Sequence, residues 1–177
     1  ACRLRNVYVY VVTGPGYVGY EGLANQIAGI DNVSLTHATG IISRIMEKVS
    51  LAITSNGRTV YEMAHMNIPA IVIPQHQREK THAFAREENG FIALDPYRKE
   101  ITEGEVLKAL ERLLDSSDFR RALYNRTVGF RFDENKQRVR STNKKTPNNP
   151  MTIKSFQYRE LHLDISAVHI ETATENI

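Results

Sequence analysis

Between residues 7 and 130 short apolar runs alternate with segments of helical periodicity, and that alternation leaves few folds open to the chain. Val7-Tyr8-Val9-Tyr10-Val11-Val12, Asn32-Val33-Ser34-Leu35, Leu51-Ala52-Ile53, Ala70-Ile71-Val72-Ile73 and Phe91-Ile92-Ala93-Leu94 read as short strands, the first and fourth rich in β-branched residues. The first and fourth are continuously apolar, the signature of strands buried on both faces. Between them lie segments with a 3.6-residue repeat. Residues 21–27 form one. Residues 40–49 place Ile41, Ile42, Ile45 and Met46 on one face, and residues 58–66 do the same with Val60, Met63 and Ala64. Residues 78–89 are expected as a helix stopped by Gly90 at C′. Residues 102–114 carry the stripe Val106, Leu110, Leu113 and Leu114, with Thr102 and Glu105 spaced as a capping box. Ser116 caps a last helix containing Phe119, Leu123 and Tyr124. Strand–helix alternation implies right-handed crossovers, so the expectation is a Rossmann-like α/β domain over residues 1–130, a parallel sheet with helices on both faces.

From residue 131 the pattern stops. Lys136, Arg138, Arg140, Lys144 and Lys145 lie among Asn, Ser, Thr and Pro, which reads as a basic linker and irregular tail over residues 131–177. Leu161, Leu163 and Ile165 restore some alternation, consistent with an edge strand or hairpin. The net charge of +3 is too small, and the aromatics in the basic stretch too sparse, to suggest nucleic-acid binding. One cysteine, Cys2, excludes an internal disulfide and any cysteine-rich zinc site, and no two of the six histidines have the H-x-x-x-H spacing. No metal or cofactor is therefore expected. With no signal-peptide or membrane-spanning pattern, a cytoplasmic protein is the expectation. The chain begins without Met and enters a strand within a few residues, which suggests the second half of a larger protein.

In a parallel sheet of this kind ligands bind beyond the carboxyl ends of the strands. Loops 13–19, 37–41, 54–59 and 74–77 fall at that edge. Thr54-Ser55-Asn56-Gly57-Arg58-Thr59 runs from a strand through small polar residues into a helix start. Free N–H groups there, with the Ser55, Asn56 and Thr59 side chains and the Arg58 charge, suit an anion such as a phosphate. Glu62, one turn on, suits the hydroxyls of a ribose. N-capping alone explains the same residues, so two readings stand. Gly14-Pro15-Gly16-Tyr17-Val18-Gly19 matches the dinucleotide fingerprint G-x-G-x-x-G. The following strand, however, ends in Leu35-Thr36-His37 with no carboxylate for the ribose. An NAD-type oxidoreductase domain is thus an alternative, and a non-catalytic interaction module a third. Gln75, His76 and Gln77 could hydrogen-bond a polyol. His37 is either a ligand contact or an exposed loop residue, while His65 and His82 read as surface or structural. No nucleophile elbow and no G-x-x-x-x-G-K-[ST] loop occurs.

Residues 54–62, Thr54-Ser55-Asn56-Gly57-Arg58-Thr59-Val60-Tyr61-Glu62, followed by Met66-Asn67-Ile68-Pro69-Ala70-Ile71-Val72-Ile73-Pro74-Gln75-His76, resemble the C-terminal half of GT-B nucleotide-sugar enzymes. The glycosyltransferase family 28 type is the nearest group, above all the UDP-sugar hydrolases of pseudaminic and legionaminic acid biosynthesis and related spore-coat polysaccharide proteins. Asn67 stands where that group often has glycine. The resemblance spans residues 7–130 and excludes the tail. It implies a UDP-sugar as ligand and a hydrolase or glycosyltransferase cleaving a sugar–diphosphate bond in surface-polysaccharide or nonulosonic acid biosynthesis. Ser55, Gly57, Arg58 and Thr59 would meet the diphosphate, Glu62 the ribose, and Asn56 would belong to the same nucleotide-sugar site. Gly40 and Ile41 would lie near the base, Gly14 and Gly16 would line the cleft, and Gln75, His76 and Gln77 would face the sugar. The general base would come from an N-terminal domain absent from this chain, leaving His76 as the one candidate catalytic group here.

Overall fold

The structure, a computed structural model, describes residues 7–40, 42–130 and, as backbone, 168–172. Its elements are β1 (Val7–Thr13), α1 (Tyr20–Ile27), β2 (Val33–His37), α2 (Ile42–Met46), β3 (Leu51–Ser55), α3 (Thr59–His65), β4 (Ala70–Ile73), β5 (Phe91–Ala93), α4 (Thr102–Asp115), α5 (Ser117–Thr127) and β6 (Val168–Thr172). The chain is an α/β protein whose parallel strands are flanked by helices, as the alternation predicts. The six strands lie in the order β2-β1-β6-β3-β4-β5. β1 and β2 are parallel, as are β3, β4 and β5.

The alternation along β4 assigns the two faces. Ala70 and Val72 pack with Val60, Met63 and Ala64 of α3 and Met46 of α2. Ile71 and Ile73 pack with Leu110 and Leu113 of α4 and Leu123 of α5. A strand whose every side chain is buried must be covered on both faces, which is why its sequence reads as an unbroken apolar run.

Leu161, Leu163 and Ile165, where an edge strand or hairpin is expected, lie outside the described residues. β6 lies inside the sheet, antiparallel to β1 on one side and β3 on the other, with Ile170 opposite both Val9 and Leu51. Its backbone groups close the gap between two parallel sub-sheets, where unpaired N–H and C=O groups would otherwise be left at two strand edges. The basic segment 131–167 lies outside the described residues.

Residues 78–89 are not one helix. They form two 3-10 turns, Glu79–Thr81 and Glu87–Asn89. The Asn56 amide, 23 residues upstream of Glu79, donates to the Glu79 carbonyl at 2.8 Å and to the His82 carbonyl at 3.2 Å. The Glu79 carbonyl also accepts the His82 N–H at 3.0 Å, so the Asn56 amide fastens a 3-10 turn at this point. Arg86 then adopts an extended φ of −154°. The capping box at α4 is likewise replaced. Thr102 lies within the helix and its hydroxyl accepts from the Arg98 backbone N–H at 2.8 Å, while the Arg98 guanidinium pairs with Glu105 at 3.2 Å. At α5 the expected cap is present, the Ser116 hydroxyl accepting from the Phe119 N–H at 3.2 Å.

Asn67 has a φ of +59°. The Ile68 N–H donates to the Met63 carbonyl and the Asn67 N–H to the Ala64 carbonyl, so α3 ends in a Schellman motif with Asn67 at C′. Asparagine is the side-chain-bearing residue best tolerated in the left-handed region, so it can stand where a glycine would serve. Gly90, also left-handed at +92°, is a stop as expected, but of the second 3-10 turn and not of a helix over 78–89.

Candidate functional site

β3 and β4 are neighbours, and their carboxyl ends bring most of the sequence-predicted residues onto one edge. Ser55 ends β3, Arg58 is the exposed N-cap residue of α3, and Thr59 is its first residue. Arg58 has helical backbone angles and α3 has no side-chain cap. Arg58 thus does not cap α3 through its side chain, and the Asn56 amide is engaged with the 78–82 turn instead. Gly57 has no steric need to be glycine, since a Cβ there would meet only the Ser55 hydroxyl at an ordinary 3.7 Å.

Asn56 differs from its neighbours. It is buried at 5% exposure, and its amide holds the 78–82 turn as described above. The His82 ring returns the contact, its Nδ1 lying 2.8 Å from the Asn56 carbonyl oxygen. Asn56 thus ties the β3 loop to the β4 loop. On the far side, the Gln75 N–H donates to the Glu79 carboxylate at 2.9 Å. The Gln75 side-chain nitrogen is buried with no hydrogen-bond partner among the described residues. His76 and Gln77 are exposed, and their carbonyls accept from the Glu79 and Lys80 N–H groups.

Glu62 is exposed on α3 and lines a cleft of about 570 Å³ with Ile42, Ser43 and Met46 of α2 and Tyr61, His65 and Met66. The cleft walls are almost wholly apolar apart from Glu62, Ser43 and His65. Gly40, two residues before α2, is exposed at the mouth of the segment entering it, and Ile41 lies outside the described residues. Tyr61 stacks on Phe84 with ring centroids 4.6 Å apart, and Phe84 meets Phe130 edge-on at 5.1 Å.

Gly14 and Gly16 do not join this group. β6 stands between β1 and β3, so at a strand spacing of roughly 4.8 Å the two loops start about 10 Å apart. The 14–19 loop also lacks the steric demands of a dinucleotide fingerprint. Neither Gly14 nor Gly16 has a positive φ, and a Cβ on either would meet nothing within 4 Å. A Cβ on Gly19 would meet only the Tyr17 ring, so it serves no close helix–strand packing.

One pair at this edge was left open by the residue pattern. Thr13 and His37 end neighbouring strands in register, and the fully buried Thr13 hydroxyl lies 2.8 Å from His37 Nδ1. The Tyr20 ring rests against the imidazole, centroid to centroid at 4.9 Å. The available signal was positional: both residues close consecutive β-runs, and parallel pairing puts such residues side by side.

No group of three or more His, Cys, Asp or Glu able to hold a metal ion occurs among the described residues. No helix there is long and apolar enough to cross a membrane. No protein-family model matches the chain, and no curated protein matches it.

Proposed function

We propose that the chain is the nucleotide-binding half of a UDP-sugar hydrolase or glycosyltransferase, acting on a sugar–diphosphate bond. The observation that carries this reading is the shared cleft of Glu62 and Ile42. A ribose acceptor and the backbone entering α2 border one apolar slot, and the Ser55–Thr59 turn begins α3 a single turn before Glu62. A flat base suits the slot between Ile42, Met46, Tyr61 and Met66, where apolar walls can cover both faces. Ribose hydroxyls would donate to the Glu62 carboxylate. The diphosphate would then lie along the N–H groups and hydroxyls of Ser55, Gly57 and Thr59, beside the Arg58 guanidinium. Departure of the diphosphate develops negative charge, and preorganised donors and a cation stabilise that charge most in the transition state. His76 and the two glutamines flanking it stand on the neighbouring strand end, the side toward which a sugar would extend. Surface-polysaccharide or nonulosonic acid biosynthesis is the setting that the motif resemblance supplies, and a companion GT-B domain would complete the acceptor side.

Arg58→Ala is expected to weaken UDP binding by about 1–3 kcal/mol, the range for a hydrogen bond to a charged group. Calorimetry that returned an unchanged affinity would remove Arg58 from the phosphate site. Glu62→Gln should weaken UDP more than it weakens 2′-deoxy-UDP, because the carboxylate acts on the hydroxyl that the analogue lacks. Equal losses for the two ligands would make Glu62 a structural residue.

A further inference from the structure

A second and larger cleft, of about 950 Å³, opens at the sheet edge between β5, the 80–86 loop and α4, and it shares no residue with the Glu62 cleft. Its size is that of a site for a small organic ligand. Its apolar surface comes from Ala85, Ile92, Leu94 and Ala109. Its charged groups come from two sides, Lys80 and Arg86 on the loop, Lys108 and Arg112 one turn apart on α4, with the carboxylates Asp95 and Glu105. Asp95 is engaged through both oxygens and Glu105 through one, its other carboxylate oxygen being buried with no hydrogen-bond partner among the described residues. Lys80 lies 2.8 Å from Asp95, and Arg98, which does not line the cleft, pairs with Asp95 at 3.7 Å and Glu105 at 3.2 Å. The hydrogen bond from Lys80, and its charge, hold the Asp95 carboxyl below the ordinary carboxylate range.

The remaining cations are less occupied. Arg112 lies over the Phe119 ring at 3.6 Å and makes no ion pair among the described residues. Arg86 has only a long 3.8 Å contact with the exposed Glu88. Lys108 makes no ion pair among the described residues. A concave apolar wall faced by three such cations suits an anion with a hydrophobic body, and the planar guanidinium fork favours phosphate or carboxylate over a simple halide.

We propose that this cleft is a second ligand site, taking an organic phosphate monoester whose apolar group rests on Ile92, Leu94 and Ala109 and whose phosphate meets Lys108, Arg112 and Arg86. The cleft also reaches Asn56 and Pro74, just past β3 and β4 at the nucleotide edge, while the cations assigned to the phosphate stand on α4 and the 80–86 loop. Two features separate it from a generic basic surface. Binding requires the apolar part, and it requires these cations in particular.

The test is titration of the full chain with phenyl phosphate, followed by NMR chemical-shift mapping, with inorganic phosphate and benzoate as parallel probes. Saturable shifts confined to Ala85, Ile92, Leu94, Lys108, Ala109 and Arg112, at concentrations at least about tenfold below those needed for inorganic phosphate, are expected, a factor that corresponds to 1.4 kcal/mol. The exposed charge reversals Lys108→Glu and Arg86→Glu together should reduce the phenyl phosphate affinity about tenfold or more, with the folded spectrum retained. Benzoate binding as tightly as phenyl phosphate would replace phosphate by carboxylate as the recognised group and overturn that part of the assignment. Shifts scattered over the basic surface, equal affinity for inorganic phosphate, or unchanged affinity in the double variant would each overturn the site.

Discussion

Gly90→Ala is expected to lower the stability of the chain by about 2–5 kcal/mol, a large share of the roughly 5–15 kcal/mol that holds a domain together. Two costs combine. The backbone at Gly90 has a φ of +92°, where a residue with a side chain is strained by about 1–3 kcal/mol. An added methyl would also meet the Thr127 Cγ2 atom, and would stand 2.6 Å from the Leu123 carbonyl oxygen. A carbonyl within a helix cannot swing aside as a long side chain can, so α5 would have to shift bodily, and overpacking of this kind costs about 1–3 kcal/mol. The same helix carries Leu123 and Thr127, both fully buried, so the shift would propagate into the core beneath β5. Urea unfolding measures the effect directly. A midpoint equal to that of the parent would mean that α5 does not press on Gly90.

Ile170→Pro is expected to be comparably damaging. β6 is paired on both sides, with Ile170 opposite Val9 of β1 and Leu51 of β3. Proline removes the N–H that closes one ladder and leaves a buried carbonyl on the neighbouring strand without its donor, at about 1–3 kcal/mol, and its ring disturbs the second ladder as well. A total of at least about 2 kcal/mol is expected, visible in urea unfolding and in faster amide exchange along β1 and β3. A variant as stable as the parent, with β1 and β3 amides equally protected, would show that residues 168–172 are not part of the sheet.

These two positions also mark how far the residue pattern carries. Gly90 was legible because a helical stop requires a left-handed residue and glycine supplies it. The strands β1, β3 and β4 were legible because burial on both faces forces continuous apolar runs, and β5, at the sheet edge, by its short apolar run alone. β6 was not, since its pairing partners lie more than a hundred residues away and its own pattern is short. Residues 78–89 misled for a different reason. Their composition is helical, but the segment folds as two 3-10 turns, the first fastened by the amide of Asn56, a side chain distant in sequence. At the candidate site, Ser55, Gly57, Arg58, Thr59, Gln75, His76 and Gln77 share one sheet edge because they end adjacent strands, which chain order alone implies. Gly14 and Gly16 stand apart for a reason no local pattern contains, the insertion of β6. Asn67 shows the reverse: a departure from the glycine of the resembling group that the left-handed backbone explains.

The most direct test of the proposed function is calorimetric titration of the full chain with UDP, beside CMP, ADP and NAD. Saturable binding of UDP alone is expected, lost or weakened in Arg58→Ala. Binding of NAD without UDP would contradict it and move attention to the 14–19 loop, and the absence of any UDP binding would leave the Glu62 cleft without the ligand proposed for it.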